Sequence, residues 1–171
     1  MPDKFDEYLR DEDQPTRLRA LTSRSYKNVF QQENGCPLPD ENINVELATY
    51  GDALLKLAFC KILFDDAVLN ITVEKQKYEA DKVLVEIIAQ HYELLKYIRF
   101  DTANVNIPQD YEYREPPQKD KDSPSKYIAT AVEALIAAIY LDNNEDFSVV
   151  VEIAKHWKEL IDSALSLHYE K

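Results

Sequence analysis

The stretch Lys126-Tyr127-Ile128-Ala129-Thr130-Ala131-Val132-Glu133-Ala134-Leu135-Ile136-Ala137-Ala138-Ile139-Tyr140-Leu141-Asp142 decides how this chain folds. It is too long for a strand and apolar nearly all round. That pattern belongs to a helix buried in the centre of a domain. Glu133 stands inside it. A carboxylate in such a place must be satisfied by a partner or must reach a water-filled cleft. Thr130, Lys126 and Lys56 are the candidate partners.

Helical patterns flank this stretch on both sides. From about Asn44 to Phe64, Leu47, Tyr50, Leu54, Ala58 and Ile62 recur at helical spacing and predict one buried face. Asp40, Asn42 and Asn44 are candidate caps at its start, and Asp65-Asp66 breaks it. A last helix follows Asp142-Asn143-Asn144, read as its capping residues. It carries Phe147, Val150, Val151, Ala154, Trp157, Ile161 and Leu165 on one stripe. Thr72 to about Ile98 reads as two or three helices, and Arg17 to Leu21 as a short one. Gln31 to Asn42 is a loop marked by Gly35, Pro37 and Pro39. Asp101 to Pro124 is a polar loop, long enough to be either functional or mobile, with Tyr111 and Tyr113 as possible base-stacking aromatics.

At 171 residues the length predicts one domain, large enough for a core without disulfides or a structural metal. The expected division is a polar N-terminal segment, 1–14, followed by an all-α, multi-helix domain over 15–171. Two glycines argue against a sheet protein with many tight turns and against glycine-rich phosphate loops. The formal charge of −12 argues against gripping nucleic acid by bulk electrostatics, and leaves a local basic patch or carboxylate-held metals as routes to RNA. Arg17, Arg19, Arg24 and Lys27 form such a candidate RNA-binding cluster. Cys36 and Cys60 match no zinc or redox spacing, so a cytoplasmic or other reducing intracellular compartment is expected. The charged start and the lack of a long apolar run predict no signal peptide and no membrane association. His91, His156 and His168 read as scattered.

Three stretches, in order, resemble ribonuclease III. Ala20-Leu21-Thr22-Ser23-Arg24-Ser25-Tyr26 is similar to the family's Ala-Leu-Thr-His-x-Ser-Tyr. Leu47-Ala48-Thr49-Tyr50-Gly51-Asp52-Ala53-Leu54-Leu55 is similar to its signature, Leu-Glu-Phe-Leu-Gly-Asp-Ala-Val-Leu. The 126–142 stretch resembles Leu-Ala-Asp-x-x-Glu-Ala-Leu-Ile-Gly-Ala-Ile-Tyr-Leu-Asp. Ala80-Asp81-Lys82-Val83-Leu84 loosely fits the family's Ser-Asn-x-x-Leu, and Lys126 matches a lysine of Dicer-like members. No double-stranded-RNA-binding domain is read after the last helix, in which respect the chain resembles the mini-ribonuclease III group.

The resemblance implies a ribonuclease III-like endonuclease fold, and hydrolysis of double-stranded RNA with Mg2+ or Mn2+ held by four carboxylates. Carried over position by position, Asp52 and Glu133 are the remaining catalytic and metal-binding acids, with Lys126 beside them. Ala48 stands where the signature glutamate belongs, and Thr130 where the later aspartate belongs. Glu46 precedes Asp52 by six positions, about 120° away around an ideal helix, so it does not substitute. Lys56, one turn after Asp52, is placed to pair with it. Three readings stay open: a catalytically degenerate domain that binds RNA or protein, an active endonuclease with a reduced site, and a helical scaffold without RNA. A homodimer or heterodimer is expected and DNA is not. The aromatic that packs into the partner subunit in the family is Thr49 here, with Tyr50 as its possible replacement.

Overall fold

The computed structural model describes residues 3–105 and 123–169. The 106–122 part of the long polar loop, with Tyr111 and Tyr113, lies outside the described residues, as does the side chain of His168. The architecture is all-α: α1 (Lys4–Arg10), α2 (Arg17–Ala20), α3 (Tyr26–Asn34), α4 (Val45–Asp65), α5 (Ile71–Glu74), α6 (Gln76–Glu79), α7 (Asp81–Val83), α8 (Pro124–Asp142) and α9 (Phe147–Tyr169). A π-helical stretch, Leu84–Ala89, continues α7. Among the described residues the nearest thing to a sheet is one parallel bridge, Thr22 to Arg99.

α8 is the axis. Residues 131–139 are all buried, and Ala129, Ala131, Ala134, Ala137 and Ala138 are wholly so. Ser123 caps the helix by accepting from the Lys126 N–H, and Pro124 opens it without a wasted donor. α4 crosses α8 at Gly51. A Cβ at that position would sit 1.7 Å from the Glu133 carbonyl oxygen and 3.1 Å from the Ala137 nitrogen, so only a hydrogen fits. α9 lays its apolar stripe across α4 and α8, with Trp157 and Ile161 wholly buried.

Four expectations need correction. The 1–14 stretch is polar in sequence, yet α1 forms there and buries Phe5, Tyr8 and Leu9. The acids that make it look polar serve the helix: Asp3 accepts from the Phe5 and Asp6 N–H groups, and Asp6 and Glu7 complement the N-terminal dipole. Asp142 does not cap α9. It accepts from Tyr8 Oη at 2.6 Å and from the Thr16 N–H and hydroxyl, and so clamps the N-terminal segment to the end of α8. Asp146 accepts from the Ser148 N–H at the start of α9 instead. Tyr50 is not on the buried face of α4; it is 43% exposed. Asn44 does precede α4, but its amide donates to the Ala20 carbonyl rather than capping.

The close crossing makes Gly51 the least replaceable residue of the fold. Gly51→Ala is expected to cost about 3 kcal/mol of unfolding free energy in urea, since backbone rather than a flexible side chain must give way. A cost below about 1 kcal/mol would mean that the helices separate freely.

Candidate functional site

The crossing of α4 and α8 opens on one side into a cleft of about 440 Å³. Successive turns of α4 present Ala48, Asp52 and Lys56 to it. α8 contributes Lys126, Thr130 and Glu133. Asp81, at the start of α7, closes the far wall, and Arg24 stands at the rim. The structure therefore gathers the residues that sequence places about eighty positions apart. It also adds one acid, Asp81, whose only sequence signal is its place in the loose Ala80-Asp81-Lys82 motif. Glu46 lies outside this cleft and lines a neighbouring hollow with Arg19 and Lys27.

The charges in the cleft pair with one another. Lys56 Nζ donates to Asp52 Oδ2 at 2.7 Å, a hydrogen bond that holds its ammonium above the usual lysine range. Lys126 Nζ stands 3.6 Å from Asp81 Oδ2. Glu133 is 7% exposed, and no hydrogen bond or ion pair reaches its carboxylate among the described residues. Burial pushes this carboxyl up to about 7; Lys126 and Lys56 oppose the rise, while Asp52 and Asp81 add to it. Three acids thus face three bases: Asp52, Asp81 and Glu133 against Lys56, Lys126 and Arg24.

A pair of divalent ions asks for a surplus of ionised oxygen ligands. Here a methyl group stands at position 48, 5% exposed, and a neutral hydroxyl at 130. One remaining acid is paired with an ammonium and the other is buried. These residues do not fit the two-ion arrangement.

Of the four basic residues near the N-terminus, Arg19, Arg24 and Lys27 line the neighbouring hollow and Arg17 does not. Arg17 is buried, donates through Nε to the Leu9 carbonyl and lies over the Tyr97 ring. Arg19 donates to the Ile43 carbonyl, and Lys27 pairs with Asp40. Arg24 is exposed, between the cleft and the neighbouring hollow. On the outer face of α4, Tyr50, Leu57 and Phe64 are 43%, 56% and 74% exposed. Their spacing of seven puts them on one line along the helix. Thr49, at the position of the expected aromatic, is exposed and bonds back to the Val45 carbonyl.

Glu133 gives the site a pH signature. Its carboxyl titrates near 7 in the folded chain against 4.5 ordinarily, so the native state holds the extra proton between those values. This contribution to stability is complete below about pH 4.5 and is lost as pH rises through about 7. With divalent ions chelated, Glu133→Gln is expected to raise stability at pH 8 by on the order of 2–3 kcal/mol and to leave it little changed at pH 4. Equal effects at both pH values, measured by urea unfolding, would contradict the assignment.

No solved structure was found to match the chain. A family model described as the ribonuclease III domain matches residues 45–144, more than half of the chain. That span begins with α4, includes Gly51, Asp52 and Glu133, and ends just past α8. The motifs, the wholly helical packing around α8 and this match agree: the chain belongs to the ribonuclease III domain family, whose members generally bind double-stranded RNA, use divalent metal ions and dimerise.

Proposed function

We propose that this chain is a ribonuclease III domain that does not cleave RNA and serves RNA processing as a binding module, with a protein partner on α4. The observation that carries the reading is the Lys56 ammonium on Asp52, in a cleft where Ala48 and Thr130 replace two acids. Lysine supplies the positive charge that a metal ion would supply, but it activates no water. The line of Tyr50, Leu57 and Phe64 supports association through α4, as a homodimer or with a second ribonuclease III-like chain. The exposed, unbridged Cys36 suits a reducing compartment.

A second reading, an endonuclease with a reduced site, is favoured by one observation: Asp81 brings a third carboxylate to the cleft beside Asp52 and Glu133. An RNA contact, on either reading, would fall on Arg24 at the rim.

The full chain is to be incubated with double-stranded RNA and Mg2+ or Mn2+, and its association state measured by sedimentation. We expect no cleavage above that of Asp52→Asn, and a dimer that Leu57→Asp dissociates. Cleavage abolished by Asp52→Asn would establish the endonuclease and overturn the proposal. A monomer that binds RNA at low salt, and loses it in Arg24→Ala, would replace the protein partner with RNA.

A further inference from the structure

On the side of α9 that packs against α1, the fold assembles a second group of ligating side chains. Asp3, His91 and His156 each offer one ligand atom, and these atoms all lie within 4.8 Å of one another. In sequence the three are far apart and the histidines read as scattered. Asp3 stands at the start of α1, His91 just after the π-helical stretch, and His156 on α9. We propose that they form a zinc site that fastens the N-terminal helix to α9.

The donor set fits that ion. Two imidazole nitrogens and one carboxylate oxygen, without thiolate, suit a borderline divalent cation, with water as the fourth ligand. Three atoms so close leave a point no more than about 2.8 Å from each, against zinc–ligand bonds of about 2.0–2.2 Å. Closing that gap takes side-chain rotation of less than about 1 Å per ligand. His156 Nε2 is already 3.1 Å from Asp3 Oδ2. On zinc binding this nitrogen exchanges its proton for the metal, and the other ring nitrogen carries the proton.

The carboxylate is oriented from behind, as ligands of metal sites commonly are. Asp3 Oδ1 accepts from the Phe5 and Asp6 N–H groups at 2.9 and 3.0 Å. Asp3 Oδ2 accepts from Tyr92 Oη at 2.7 Å, and that oxygen accepts from the wholly buried Trp157 Nε1 at 3.2 Å. The His91 ring stands edge-on to Tyr92 at 4.7 Å. The π-helical stretch from Leu84 to Ala89 sets the register of this segment just before His91. The His91 ring is exposed, so the site is open to metal from solution.

The test uses the full chain, stripped with chelator and titrated with zinc by calorimetry, with Co2+ absorbance reporting coordination. We expect one equivalent bound, a thermal midpoint that rises with zinc, and the d–d bands of a tetrahedral cobalt site. His91→Ala and His156→Ala should each weaken zinc at least roughly tenfold and abolish the thermal shift, with far-UV circular dichroism unchanged. The double variant Asp52→Asn/Glu133→Gln should bind zinc as the natural chain does, which separates this site from the cleft. Wild-type affinity in either histidine variant, or no stoichiometric uptake by the natural chain, would overturn the proposal.

Discussion

Where α4 crosses α8, the two backbones approach so closely that position 51 has room for a hydrogen and nothing more. Most of what distinguishes this protein follows from that contact. The next residue on α4 is Asp52, and the carbonyl against Gly51 belongs to Glu133, so backbone contact sets the two acids across one cleft. The same crossing turns Tyr50, Leu57 and Phe64 outward. A looser crossing would separate the acids.

Magnitudes decide which charge governs the cleft. The Lys56–Asp52 pair is partly exposed, 44% and 35% on its two side chains, and such pairs contribute at most about 1 kcal/mol. Holding Glu133 out of water shifts its titration to about 7, a cost on the order of 2–3 kcal/mol when it is ionised. Burial of Glu133, rather than the lysine pair, is therefore the larger electrostatic departure. Lys126 and Lys56 offset that burial only in part, and a methyl at 48 and a hydroxyl at 130 add no charge that would favour a carboxylate.

The three long helices were legible because their apolar periods run for several turns. α8 in particular announces itself by being apolar on every side. α1 was not legible as part of the core. Its acids are a cap and a dipole complement, and they hide the Phe5, Tyr8 and Leu9 spacing that marks its buried face. The 72–98 region reads as two or three helices and folds as three short ones, α5 to α7, with a π-helical stretch after the last; its apolar residues follow no single period. In the cleft, Asp52, Glu133 and Lys126 were legible through the resemblance to the ribonuclease III motifs, as were the replacements Ala48 and Thr130. Asp81 was not, because it enters from a connection whose course only the packing fixes. Arg17 and Arg19 show the converse: a run of positive charge in sequence that the fold spends on carbonyl groups.

On the reading we propose, lysine, rather than a metal ion, balances the acids of this cleft. The most direct measurement is anomalous diffraction from crystals of the unmodified chain soaked in manganese at pH 8, where Glu133 is ionised and the metal has its best chance. The account predicts no ordered manganese between Asp52 and Glu133, with Lys56 Nζ still on Asp52. A well-occupied manganese ligated by Asp52 and Glu133, with Lys56 displaced, would contradict it.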